Sequence, residues 1–201
     1  SGFTAKGVPL TVNLGGAGAT LSHGSAAFNP IPLVLNGAEA DQPLTFANGI
    51  DYSWLTVRVD RASVALPGPM AGAADGVLAK IGNGEIIFSG DENCSLGGLD
   101  HRAGTMRIER PMSVAGKIDV FSNVQLFVRD SLETAMDFWQ AAGALTQVEE
   151  SGTLQASNII VVNAGTFRQN GGVVRTLDGE SAVGGYENND EGKSAVAVYE
   201  M

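Results

Sequence analysis

The chain alternates. Leu55, Val57 and Val59 are separated by Thr56, Arg58 and Asp60. Ile118 and Val120 alternate with Lys117 and Asp119. Val124, Leu126 and Val128 alternate with Gln125, Phe127 and Arg129. A period of two predicts strands with one buried and one wet face. A second signal is a recurring Gly-x-apolar step. It occurs at Gly84-Glu85-Ile86, Gly104-Thr105-Met106, Gly116-Lys117-Ile118, Gly143-Ala144-Leu145, Gly152-Thr153-Leu154 and Gly165-Thr166-Phe167. Each step reads as a glycine turn followed by a strand whose second residue points inward. The intervals are unequal, so the steps read as a ladder of short strands rather than as identical repeats.

Two architectures accommodate such a ladder, an antiparallel sandwich and a parallel β-helix. Asn36, Asn123, Asn158 and Asn163 flank apolar strands. Asparagine tolerates the left-handed conformation of a tight corner and can stack between coils, which favours the β-helix. One segment departs from alternation. Asp130-Ser131-Leu132-Glu133 resembles a capping box, and Leu132, Ala135, Met136 and Trp139 have helical spacing. This predicts one short helix near 131–141. The alternative is an outward loop and strand carrying Phe138 and Trp139.

Composition sharpens the picture. There are 27 glycines in 201 residues, about twice the ordinary share of roughly 7%. They have no collagen period and fall at the ends of apolar runs. The formal charge is −10, from 12 basic and 22 acidic residues, and the cations are scattered singly. No basic face is available for a phosphate backbone, so nucleic acid is not expected as a partner. Cys94 is the only cysteine, so no intramolecular disulfide can form; it reads as an occupant of a polar turn. No apolar run is long enough to cross a bilayer, and Ser1 does not open a signal peptide. The expectation is an internal slice of a longer protein.

Residues 76–108 carry the most specific pattern. Gly76, Leu78, Lys80, Gly82, Gly84, Ser89, Gly90, Asn93, Gly97, Gly98, Gly104, Thr105 and Ile108 fit the autotransporter-associated β-strand repeat, with Met106 in place of the usual Leu. The stretch before it, including Leu14-Gly15-Gly16 and Phe28-Asn29-Pro30, resembles what often precedes this repeat in large bacterial surface proteins. The tail, with Gly165-Thr166-Phe167 and Val183-Gly184-Gly185-Tyr186, is similar to a further repeat of such proteins. The resemblance implies a right-handed single-stranded parallel β-helix. It would be one continuous segment, with leading coils over 1–75, the repeat over 76–108 and further coils over 109–201. It also implies a passenger that is extracellular or associated with the outer membrane surface, whose usual partner is a C-terminal membrane barrel. Fold-level resemblance carries no activity.

Candidate chemistry is sparse. His23 and His101 read as exposed loop histidines, and nothing places a serine and a carboxylate beside either. Arg107, Arg110, Asp119 and Arg129 can line one outer sheet, as a polysaccharide-degrading β-helix requires. A solvated strand face is the simpler reading. Paired aspartates on neighbouring coils would mark a hydrolase; Asp119 and Asp130 do not form an evident pair. Tyr52, Trp54, Phe127, Phe138 and Trp139 are candidates for an outward aromatic platform, and Phe127 has the best parity. The binding candidates are therefore Phe127, Trp139, Arg107 and Arg129. The acidic stretches 91–93 and 187–192 offer oxygen ligands, but neither has an EF-hand or calcium β-roll pattern. No cofactor is expected, with calcium the only weak candidate.

These readings point to a non-catalytic structural or adhesive segment of a secreted or cell-surface repeat protein. Its partners would be neighbouring coils or copies of itself, and glycans or a host or cell surface. The alternatives are a glycan-binding or polysaccharide-degrading β-helix and a self-assembling extracellular filament or matrix component.

Overall fold

A computed structural model describes residues 2–16, 18–178, 181–183 and 198–200. They form a parallel β-solenoid without a helix. Every strand pair is parallel, which removes the antiparallel sandwich.

Each turn of the coil contributes three strands, one to each of three faces. The first face is a nine-stranded sheet from Leu10–Val12 to Val198–Glu200. Strands such as Cys94–Leu96, Met112–Val114 and Ser131–Thr134 form the second face. Gly98–His101, Ile118–Val120 and Phe138–Gln140 belong to the third. The long strands Gly49–Arg58 and Met70–Ile81 run through the corner and join the second and third faces into one sheet.

Alternation fills the interior. Leu55, Val57, Val59, Ile118, Val120, Val124, Leu126 and Val128 are each at most 1% exposed, as their parity predicts. Burying such side chains stabilises each coil by roughly 1.5–3 kcal/mol per residue. One Gly-x-apolar step is shifted. Ala144 and Thr146 point inward, and Leu145 lies on the outer side. Its strand pairs Leu126 with Thr146 and Thr146 with Phe167, so stacking register overrides the local glycine signal.

The unequal glycine intervals resolve into interleaved corner series. Thr105 pairs with Gln125 and Gln125 with Leu145, so the coil advances 20 residues each time (105 to 125, 125 to 145). Gly84 and Gly104 precede the first face, and Gly152 and Gly172 precede the second. At the corner before the first face Asn123, Gly143 and Ala164 stack with φ of 60°, 73° and 51°. Asn36 also has positive φ, at 58°, and is fully buried. Its side chain accepts from Ala5 N–H at 2.9 Å and donates to Gln42 O and Ser63 O at 2.9 and 3.1 Å, tying neighbouring coils together. Asn158 and Asn163 do not adopt this conformation.

The helix expected near 131–141 does not form. Ser131–Thr134 and Phe138–Gln140 are strands, separated by a corner. Leu132 and Thr134 point inward and pair with Met112 and Val114 on one side and Leu154 and Ala156 on the other. The apparent capping box serves the corner instead: Asp130 Oδ1 accepts from Ser131 N–H at 2.7 Å, and Ser131 Oγ donates to Glu133 at 2.9 Å. Two flanking coils offer ladder bonds that an isolated short helix cannot match.

Candidate functional site

The solenoid separates the four binding candidates. Arg107 and Phe127 are register partners on the outer side of the first face. The Arg107 guanidinium lies 5.0 Å from the Phe127 ring centroid, and its Nε donates to Glu85 Oε1 at 2.5 Å. Arg129 sits just past the end of the same face and pairs with Glu109 at 2.9 Å. Trp139 lies on the third face, between Asp119 and Val161 in register, away from Phe127. Arg107 and Phe127 are thus brought together, and Trp139 is not part of their cluster.

Several other expectations are corrected because side chains read as outward point in. His101 is fully buried, not an exposed loop histidine. Cys94 is buried in the strand Cys94–Leu96, not in a polar turn. Arg110 is fully buried and cannot line an outer sheet; its guanidinium donates to Pro67 O, Gly68 O and Glu92 O at 3.1, 2.9 and 3.4 Å. Tyr52 and Phe138, 5% and 0% exposed, belong to the core rather than to an aromatic platform. In each case the coil register fixes which way the side chain points, and composition does not reveal it.

The interior holds a second buried cation. Lys80 Nζ donates to Gly82 O, Gly84 O and Ala103 O at 2.6, 2.5 and 2.6 Å. Burial pulls its ammonium down to about 8, while Asp60 and Glu85 act against that shift. The lysine therefore stays charged at neutral pH, and its three donors match the three acceptors. The acceptors include both glycines that follow Lys80 in the sequence, Gly82 and Gly84. Substituting Lys80→Met keeps the stem and orphans these carbonyls. Chemical denaturation should show a loss of about 3 kcal/mol; an unchanged midpoint would mean that water replaces the ammonium.

The third face carries the densest outward chemistry. Its central column runs Thr56, Ala79, Asp100, Asp119 and Trp139 in register. Asp100 and Asp119 are therefore stacked on neighbouring coils, about 4.8 Å apart at the backbone. This is the aspartate pair that sequence reasoning missed by testing Asp119 against Asp130. The discoverable signal was the coil period, which aligns Leu99-Asp100-His101 with Ile118-Asp119-Val120. Arg102 clamps Asp100 from Nη2 at 2.5 Å and lies 5.4 Å from the Phe121 ring centroid.

The two carboxylates differ in environment. Asp100 is held by the arginine. Asp119 is half-buried and has no hydrogen-bond partner among the described residues. Burial, and then the Asp100 charge, raise its proton affinity above the ordinary carboxylate range. A shallow groove of about 290 Å³ opens beside it, lined by Asp119, Phe121, Trp139 and Gln140 among others. A second of about 240 Å³ lies toward the N-terminal end of the same face, bounded by Trp54, Ala79, Asp100 and Arg102 on the sheet and by His23 and Ile31 above it. Trp54 and Ile31 are 64% and 78% exposed.

This arrangement can accept hydrogen bonds and stack against flat apolar surfaces. Among the described residues no three acidic, histidine or cysteine side chains converge as a metal would require. Residues 91–93 are exposed, and the acidic stretch 187–192 lies outside the described residues. No family model, no curated protein and no solved structure matches this chain.

Proposed function

We propose that the chain is a structural and adhesive rod segment of a secreted or cell-surface bacterial repeat protein, and that it does not catalyse a reaction. The observation that carries this reading is the unbroken ladder. Nine strands stack in register along the first face, spanning about 40 Å at roughly 4.8 Å per step. Each coil buries its apolar side chains against its neighbours within the chain, so length can be added without redesigning a core. The likeness of residues 76–108 to the autotransporter-associated repeat supports a surface location. Asp100 and Asp119 leave hydrolysis as the competing reading, since paired carboxylates are its chemical requirement.

The test is display. Latex beads coated with the purified chain should adhere to epithelial cells or to a polysaccharide film more than uncoated beads do. The same chain should release no reducing ends from the polysaccharide. Beads no more adherent than bare ones would remove the adhesive role, and released reducing ends abolished by Asp119→Asn would remove the non-catalytic one.

A further inference from the structure

Asp119 poses a physical problem. It is a half-buried carboxylate that accepts no hydrogen bond among the described residues, stacked beside Asp100 on the neighbouring coil. Its other neighbour in register is Trp139, whose indole Nε1–H is buried without a partner among the described residues. Folding alone does not favour such a placement, because the like charges of Asp100 and Asp119 at one ladder step repel and the unbonded, buried indole N–H of Trp139 costs stability. Unsatisfied groups and perturbed carboxylates of this kind mark places where a ligand completes the bonding.

The surroundings specify the ligand. Both tryptophans of the chain lie on this face, Trp54 at one end and Trp139 at the other. Phe121 is 39% exposed and lies in the lateral row of Arg102. Four strand steps separate Trp54 from Trp139, about 19 Å along the axis. The two grooves lie along that span and are joined by Asp100 and Asp119. An occupant must therefore be elongated and present flat apolar patches to rings. It must also donate hydrogen bonds to carboxylates and accept them from Arg102. Asp100, Asp119 and Asp137 outnumber Arg102 and Lys117 here, so an anionic chain is disfavoured. A small cation would have to displace Arg102 from Asp100, and among the described residues no three acidic, histidine or cysteine side chains are placed to hold it. A sugar ring meets every condition, with C–H faces for the aromatic residues and hydroxyls that both donate and accept.

We propose that the third face is a binding groove for a neutral linear oligosaccharide, gripped by Trp54, Asp100, Arg102, Asp119, Phe121 and Trp139. The inference does not rest on the rod reading, since a groove of this kind can serve an adhesin or an enzyme. Trp54 and Trp139 are the only tryptophans, so tryptophan fluorescence, excited selectively over the three tyrosines, reports on this face.

The experiment titrates the chain with tetrasaccharides of β-1,4-linked glucose, mannose and N-acetylglucosamine and of α-1,4-linked glucose. Tetragalacturonate and spermidine are the anionic and cationic comparators. At least one neutral tetrasaccharide should change the fluorescence with a Kd of about 1 mM or tighter. Asp119→Ala, checked for folding by circular dichroism, should weaken that binding about tenfold by removing a charged acceptor. Glu133→Gln, on the outer side of the second face, should leave it unchanged. The proposal is overturned if no neutral tetrasaccharide binds, if only galacturonate or spermidine does, or if Asp119→Ala binds as the parent does.

Discussion

Substituting Gly97→Ala is expected to destabilise the solenoid by about 3 kcal/mol or more, the upper end of what overpacking costs. Gly76, Gly97 and Gly116 stack at the corner between the second and third faces. A methyl group at Gly97 would overlap the backbone carbonyl oxygens of Ala73 and Gly76 on the preceding coil. Backbone atoms in a register-locked ladder cannot rotate away as a flexible side chain can, so coils must separate locally. In a chain of 201 residues this corresponds to a melting temperature lower by roughly 10 °C. Gly116→Ala should be milder, because its closest approach is one carbonyl, Gly97 O, at 2.8 Å. Thermal melts of the two variants check the order. Equal melting temperatures for parent and Gly97→Ala would show that the corner is looser than its stacking implies.

The second large effect is loss of stability in acid. His101 stacks on Lys80 in register inside the coil, and among the described residues neither ring nitrogen meets a partner in hydrogen-bond geometry. Burial first, and the Lys80 charge second, push the imidazole down to about 3; the nearby Ala103 and Gly104 backbone only partly offsets this. The unfolded chain takes up this proton near the ordinary histidine value of about 6.5. Between these values the unfolded state binds more protons than the folded one. Stability must therefore fall as pH is lowered through this window, by up to about 1.4 kcal/mol per pH unit from this residue. Urea denaturation at stepped pH values between 7 and 4 gives the slope. Carboxylates titrate in part of the same range, so the comparison is with His101→Val, which matches the Val120 that stacks above it. The variant should show a shallower slope above pH 5, where carboxylates contribute least. Parallel slopes would mean that the imidazole finds water or a partner when charged.

These two effects share an origin in the stacked coil. Each position has a neighbour above and below at a fixed spacing, so a residue is judged by its column as much as by its own chemistry. Lys80 is tolerated because the Gly82 and Gly84 carbonyls of its own turn and the Ala103 carbonyl of the next converge on it. Asp119 has no such provision, which is why it stands out.

The sequence by itself determined the strands and inward residues wherever alternation is unbroken. Alternation is a local property, and runs such as Leu55-Thr56-Val57 or Leu126-Phe127-Val128 have one apolar side in any sheet that buries a face. It also determined where the chain turns, because glycine and asparagine are the residues that accept left-handed corners, as at Asn36 and Asn123. Of the asparagines that favoured parallel stacking, Asn36 and Asn123 do occupy left-handed corners.

Only the tertiary structure decided register, and register decided the rest. It turned the apparent helix at 131–141 into two strands and moved Leu145 to the outer side. It buried His101, Cys94 and Arg110, placed Arg107 against Phe127, and set Trp139 on another face. Asp100 and Asp119 lie 19 positions apart (100 to 119), and nothing local couples them. They meet because the coil closes in about that many residues, a length set by three strands and three corners acting together.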